Sequence, residues 1–209
     1  MVGAAIEADS FVEAALSRQV PARFDKALKV VTTQDKWIME LRKYIPKDFD
    51  TLKRWVPNER FMLRWAGPSL DYPLTVEQFE SHLSNENIHG YSLAKDDTHV
   101  GYGEICKTSE TSAMICRVIV SDNMRGKGYG KILSSRLVEV AFEEHSLKDL
   151  YLNVFDFNEA AIKCYQDIGF HEIEKIEGMR EFEGEKWNIV KMKLSIQEEG
   201  WQGMKASVD

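Results

Sequence analysis

The feature that most narrows what this chain can fold into is the run Arg125-Gly-Lys-Gly-Tyr-Gly130. It lies between an apolar segment ending at Val120 and a stretch with Tyr129, Leu133, Leu137, Val140 and Ala141 at helical spacing. Alternating glycines let a backbone approach a ligand closely and turn in ways closed to other residues. At a helix start the free amides point outward and the dipole favours an anion. Successive amides of this kind form a concave nest for phosphate oxygens, and Arg125 and Lys127 add charges suited to a pyrophosphate. A P-loop needs Ser or Thr after Gly-Lys, where Gly128 stands. A dinucleotide turn needs GxGxxG, and the spacing here is GxGxG. A strand-to-helix turn that binds nothing needs neither the third glycine nor the two cations.

The rest of the pattern supplies a frame for that turn. Residues 1–35 read as an N-terminal helical extension with two weak helices broken at Pro21. Trp37–Tyr44 reads as a strand, and Pro46 with Asp48 opens a helix through Leu52 to Trp55. Thr75 and Gln78 form a capping box ahead of a helix carrying Phe79 and Leu83. Three strand-like runs follow, His89–Ala94, His99–Lys107 and Ser112–Ser121, joined by hairpin turns. After the glycine-rich turn and its helix come a strand at Leu150–Val154, a helix at Asn158–Ile168 stopped by Gly169, and strands near Phe170–Ile176 and Trp187–Ile196. The expected fold is α/β in the α+β sense: a mixed, largely antiparallel central sheet flanked by helices over 36–196. A polar tail occupies 197–209.

Composition removes several function classes. The net charge is −7, with 27 basic and 34 acidic residues. No dense Lys/Arg run offers the basic face that a phosphate backbone requires, so no nucleic-acid partner is expected. A negative field favours cationic partners such as an amine, weakly. The longest apolar run, Ala113–Val120, is interrupted by Arg117 and is far too short for a membrane span, and the N-terminus with Glu7 and Asp9 does not read as a signal peptide. Cys106, Cys116 and Cys164 have no paired spacing, which reads as a reduced, cytoplasmic setting without a disulfide framework. The five histidines lack metal-ligand spacing, so no metal is expected.

A second constellation follows the Leu150–Val154 strand. Asn158, Ala161, Tyr165 and Ile168 recur at helical spacing and share one face. Position alone favours Tyr165 as a half-buried core aromatic with its hydroxyl at the rim. The run Val120-Ser-Asp-Asn-Met-Arg-Gly-Lys-Gly-Tyr-Gly130 resembles the acyl-CoA-binding motif of the GNAT superfamily of N-acetyltransferases. Leu152-x-Val154, Asn158, Ala161, Tyr165 and Gly169-Phe170 resemble that superfamily's second block at the expected distance. The resemblance covers Trp37 to about Ile196 and leaves the extension unexplained. Asp122 stands where many members have Pro.

The resemblance implies the acyl-CoA N-acyltransferase fold, with acetyl-CoA as acetyl donor and no metal. Amides of Arg125, Gly126, Lys127, Gly128, Tyr129 and Gly130 would cradle the pyrophosphate. Val118, Ile119 and Val120 would pair with the pantetheine arm as an added strand does, and a splay between that strand and Leu150–Val154 would admit it. An amide near Ile119 would polarise the thioester carbonyl, with Asn153, Asn158 and Ala161 also at the cofactor. Tyr165 would act as general acid, since a phenol stays protonated at neutral pH. Glu104, on the face of its strand that carries Tyr102 and Cys106, is the candidate base; the same position equally suits a glutamate on a solvated face. The implied reaction is direct acetyl transfer to a primary amine, a small molecule being favoured over a peptide or protein acceptor. A homodimer stays open, and a non-catalytic acyl-CoA-binding sensor is the alternative from another class.

Overall fold

The computed structural model describes residues 39–96 and 98–196. The expected extension, the Trp37 end of the first strand and the tail lie outside the described residues. Seven strands form one sheet: β1 (Met39–Lys43), β2 (Ile88–Lys95), β3 (Thr98–Lys107), β4 (Ser112–Val120), β5 (Asp149–Phe155), β6 (His171–Phe182) and β7 (Glu185–Ser195). Their order is β1-β2-β3-β4-β5-β7-β6. Every neighbouring pair is antiparallel except β4 and β5, which are parallel. The mixed, largely antiparallel sheet of the sequence reading is the observed one.

Among the described residues five α-helices flank the sheet: α1 (Phe49–Arg54), α2 (Glu59–Ala66), α3 (Val76–Leu83), α4 (Tyr129–Glu143) and α5 (Glu159–Ile168). Thr75 caps α3 as expected, accepting a hydrogen bond from the Gln78 amide at 3.2 Å, but Gln78 Oε1 has no partner, so the returning half of the capping box is not formed. Asn158 caps α5 in the same way, from the Ala161 amide at 3.3 Å, and Gly169 ends it at φ +115°. The sequence reading gave no helix at α2. That helix is eight residues long, between Pro57 and Pro68, and starts on Asn58, whose Oδ1 accepts from the Phe61 amide at 2.8 Å. β6 and β7 also run further than expected, to a tight turn at Glu183-Gly184 with φ of +49° and +81°.

Strand alternation divides the core. Tyr102 and Ile119 are directly opposite each other and pack with Phe49, Leu52, Met62, Trp65 and Phe79 of α1 to α3. Gly101 and Gly103 turn to the other face, against α4. A Cβ at Gly103 would lie 2.7 Å from Leu137 Cδ1, so any other residue there would force the Leu137 side chain to shift where α4 packs on β3. Leu133 and Leu137 are fully buried there, each contributing about 1.5–3 kcal/mol. One buried carboxylate, Asp48, is held by both Arg42 nitrogens at 2.7 and 2.8 Å and by the Ser92 hydroxyl at 2.8 Å. Burial alone would raise its pKa, but those donors hold it below the ordinary value.

Candidate active site

The site begins at an irregularity in β4. Tyr102 is opposite Ile119, whereas Glu104 is opposite Cys116, so β4 carries one extra residue across from Gly103. Arg117 sits in this bulge at φ +49°, a conformation uncommon outside glycine. Its carbonyl, turned out of the ladder, accepts the Trp65 Nε1–H at 2.7 Å. The parallel pairing of β4 with β5 covers only Ser112 to Met114 against Asp149 to Tyr151. β5 nevertheless stays paired with β7 through Phe155. The two strands therefore part above Met114, which is the splay the resemblance implied.

Two cavities meet in this opening. The larger, about 720 Å³, runs from the glycine-rich turn along Val118, Ile119 and Val120 to α5. The smaller, about 230 Å³, lies between the Leu63–Ser69 segment, the β4 bulge, β5 and β6. Arg64, Trp65, Val118, Phe155, Asn158, Ala161 and Tyr165 line both.

At the far end of the larger cavity the chain turns through Gly126 at φ +71° and Gly128 at φ +85°. Both lie in the left-handed region that favours glycine, and neither would have an atom within 4 Å of an added Cβ. Gly128 is the N-cap of α4, which has no side-chain cap. The first amides of a helix have no intrahelical acceptor, so this end offers N–H groups beside open space. Arg125 stands next to it, its Nη2 2.7 Å from Asp122 Oδ1 and its guanidinium over the Phe61 ring at 5.5 Å. An uncapped, fifteen-residue helix dipole with a glycine cradle suits the diphosphate of CoA.

Of the residues singled out from sequence, Val118, Ile119, Val120, Arg125, Gly126, Gly128, Gly130, Asn158, Ala161 and Tyr165 all line the larger cavity. Lys127 and Tyr129 do not, and Asn153 lines the smaller cavity instead. Cys164 also lines the larger one, with its thiol pushed up to about 11 by burial. Trp65 and the whole Leu63–Ser69 wall belong to the site; the Trp-, Gly- and Pro-rich composition of 64–73 was the sequence signal. The Tyr165 phenol is pushed well above the ordinary tyrosine value, chiefly by burial.

Glu104 requires a correction. It lines neither cavity and is fully buried rather than on a solvated face. Its carboxylate accepts from Arg117 Nε at 2.6 Å, from His82 Nε2 at 3.0 Å and from the Tyr102 hydroxyl at 2.8 Å. Burial acts to raise its pKa, but the His82 hydrogen bond, the Arg117 charge and the Tyr102 hydrogen bond prevail and lower it. A carboxylate so occupied is the counter-charge that fixes Arg117 in the bulge. Among the described residues, no cluster of three or more metal-ligating side chains occurs.

The model of the acetyltransferase (GNAT) family matches residues 52–170. Spermine/spermidine N(1)-acetyltransferase of Bacillus subtilis (strain 168) is 34% identical over 70 residues, which is 34% of this chain and 43% of that protein. The aligned part thus spans less than half of the Bacillus protein's length. Among solved structures, the spermidine N-acetyltransferase from Vibrio cholerae in complex with CoA and spermine superimposes with a TM-score of 0.66 at 19% identity, covering 75% of this chain and 95% of that one. A chimera of the same Vibrio enzyme gives 0.67 at 20% identity, over 78% and 98%. At such identities the likeness is one of fold.

Proposed function

Because the chain belongs to the acetyltransferase (GNAT) family, we propose that it transfers an acetyl group from acetyl-CoA to the amine of a small molecule. The observation that carries this reading is the junction of the two cavities at Tyr165, with the glycine cradle at the far end of one and a separate, smaller chamber on the other side. Two ligands can meet at one phenol, as direct transfer requires. The relatives named for spermidine and spermine act on small amines, which supports the same acceptor class.

Acetyl-CoA supplies the activated acyl group; the chain's residues do the rest. The amides of Gly126, Gly128 and Gly130, with the α4 dipole behind them, bind the diphosphate. The backbone of Val118 to Val120, unpaired toward β5, receives the pantetheine arm as a strand is received at a sheet edge. Amides beside the bulge are set to donate to the oxygen that gains charge as the amine nitrogen attacks the carbonyl carbon. As the C–S bond breaks, Tyr165 gives its hydroxyl proton to the departing sulfur, and the proton shed by the acylated amine nitrogen returns the phenolate to phenol by way of solvent. A phenol raised by burial is fully protonated at neutral pH, which suits a donor. Glu104 takes no part in this proton transfer, its lone pairs being committed to Arg117, His82 and Tyr102.

Calorimetric titration of the purified chain with acetyl-CoA, beside ATP and NAD, tests the reading. Selective binding of acetyl-CoA is expected. A folded sample that ignores acetyl-CoA, or prefers ATP or NAD, overturns it.

A further inference from the structure

We propose that the acceptor amine also carries an anionic group, held by Arg180 and Arg64 at the mouth of the smaller cavity. The inference rests on the acetyltransferase reading above and names its substrate class. The smaller cavity is lined by three guanidinium side chains, Arg64, Arg117 and Arg180, and by no Asp or Glu. Arg117 is neutralised within the protein by Glu104. The other two are not: among the described residues Arg64 has its guanidinium over the Phe157 ring at 5.1 Å, and Arg180 donates from Nη1 to the Met179 carbonyl at 2.9 Å, with no carboxylate on either. Arg180 is half-buried on β6, and its Nε and Nη2 lie beside Gly67, 3.9 Å from where a Cβ on that residue would stand.

A half-buried guanidinium without a counter-ion is costly unless a ligand supplies one. Its planar fork matches a carboxylate or phosphate bidentately. A polyamine would bring several ammonium groups among these cations and meet no carboxylate. The size agrees: about 230 Å³ equals the space of roughly eight waters at about 30 Å³ each. That accommodates an amino acid or an aminoalkyl phosphate. The same positive field disfavours an ammonium and so releases the neutral amine that attack requires, without a carboxylate base in the chamber.

The experiment follows CoA release by the full chain with acetyl-CoA and four acceptor sets: protein amino acids, their carboxamides, aminoalkyl phosphates, and spermidine with spermine. Acceptors in the first or third set are expected to be used, and which of the two identifies the anion. Arg180→Gln should raise the KM for that acceptor about tenfold to a hundredfold, as expected for losing a hydrogen bond to a charged group. It should leave the KM for acetyl-CoA unchanged. Arg64→Gln, at an exposed position, serves as a second variant that keeps the fold. Better use of spermidine, spermine or the carboxamides, or acceptor KM values unmoved in both variants, overturns the proposal while leaving the acetyltransferase reading intact. Acetyl-CoA binding without turnover of any acceptor would sink that reading and this one together.

Discussion

Tyr165 and Glu104 were the two residues given chemical roles from sequence, and their surroundings separate them. Tyr165 faces both cavities from α5, where its raised phenol has a proton to give. Tyr165→Phe is expected to lower kcat by about 10²- to 10⁴-fold with acetyl-CoA affinity unchanged by calorimetry; a rate within a few-fold of wild type would remove the general-acid role. Glu104 is instead the anionic centre of a buried cluster with Arg117, His82 and Tyr102. Glu104→Gln leaves the Arg117 charge, whose side chain is only 9% exposed, without its partner. The expected cost is about 3–5 kcal/mol, seen as a fall in Tm of on the order of 10 °C for a domain of this size. A stable variant with an altered pH–rate profile would instead restore a role in proton removal.

At the scale of elements, the site is a set of departures from regular structure. β4 bulges at Arg117, β4 and β5 part after three pairs, and α4 begins on two left-handed glycines without a cap. Each leaves backbone groups free that a regular element would use internally. Gly128→Asp combines an unfavourable left-handed residue with a carboxylate where phosphates are to sit. It should abolish acetyl-CoA binding in calorimetry while circular dichroism shows the fold retained, since a Cβ there meets no atom within 4 Å, with Tm lowered by only a few degrees for the left-handed backbone. Retained affinity would place the diphosphate elsewhere. α2 contributes a different kind of control, because its Trp65 holds the bulge by the indole–carbonyl bond and also walls both cavities.

Across the whole molecule, charge acts differently inside and outside. Glu104 and Asp48 are buried carboxylates whose pKa values are held below normal, burial opposing and their donors prevailing. A group with a depressed folded pKa stabilises the fold above its unfolded value, near 4, and loses that contribution as pH falls through the folded value. Thermal melts are therefore expected to be flat from neutral pH to about 5 and to drop steeply below about 4, with a smaller drop in Glu104→Gln; equal acid sensitivity in both would exclude Glu104 as a source. The net charge of −7 suggested a cationic partner, yet the smaller cavity is lined by guanidiniums and no carboxylate. Periodicity and turn chemistry are local, so the sequence alone determined nearly every strand and helix, the glycine cradle and the Asn158–Tyr165 helix face. It missed α2, too short and too closely bracketed by prolines to show a repeat, and it left Glu104 between a catalytic base and a solvated glutamate because alternation reveals which residues share a side, not what covers that side. The covering elements come from distant parts of the chain: His82 from α3, Arg117 from the bulge, and Arg180 from a hairpin more than a hundred residues after Arg64. Only tertiary structure decided which charges were paired and which were left for a ligand, because burial and counter-ions depend on contacts that no local pattern encodes.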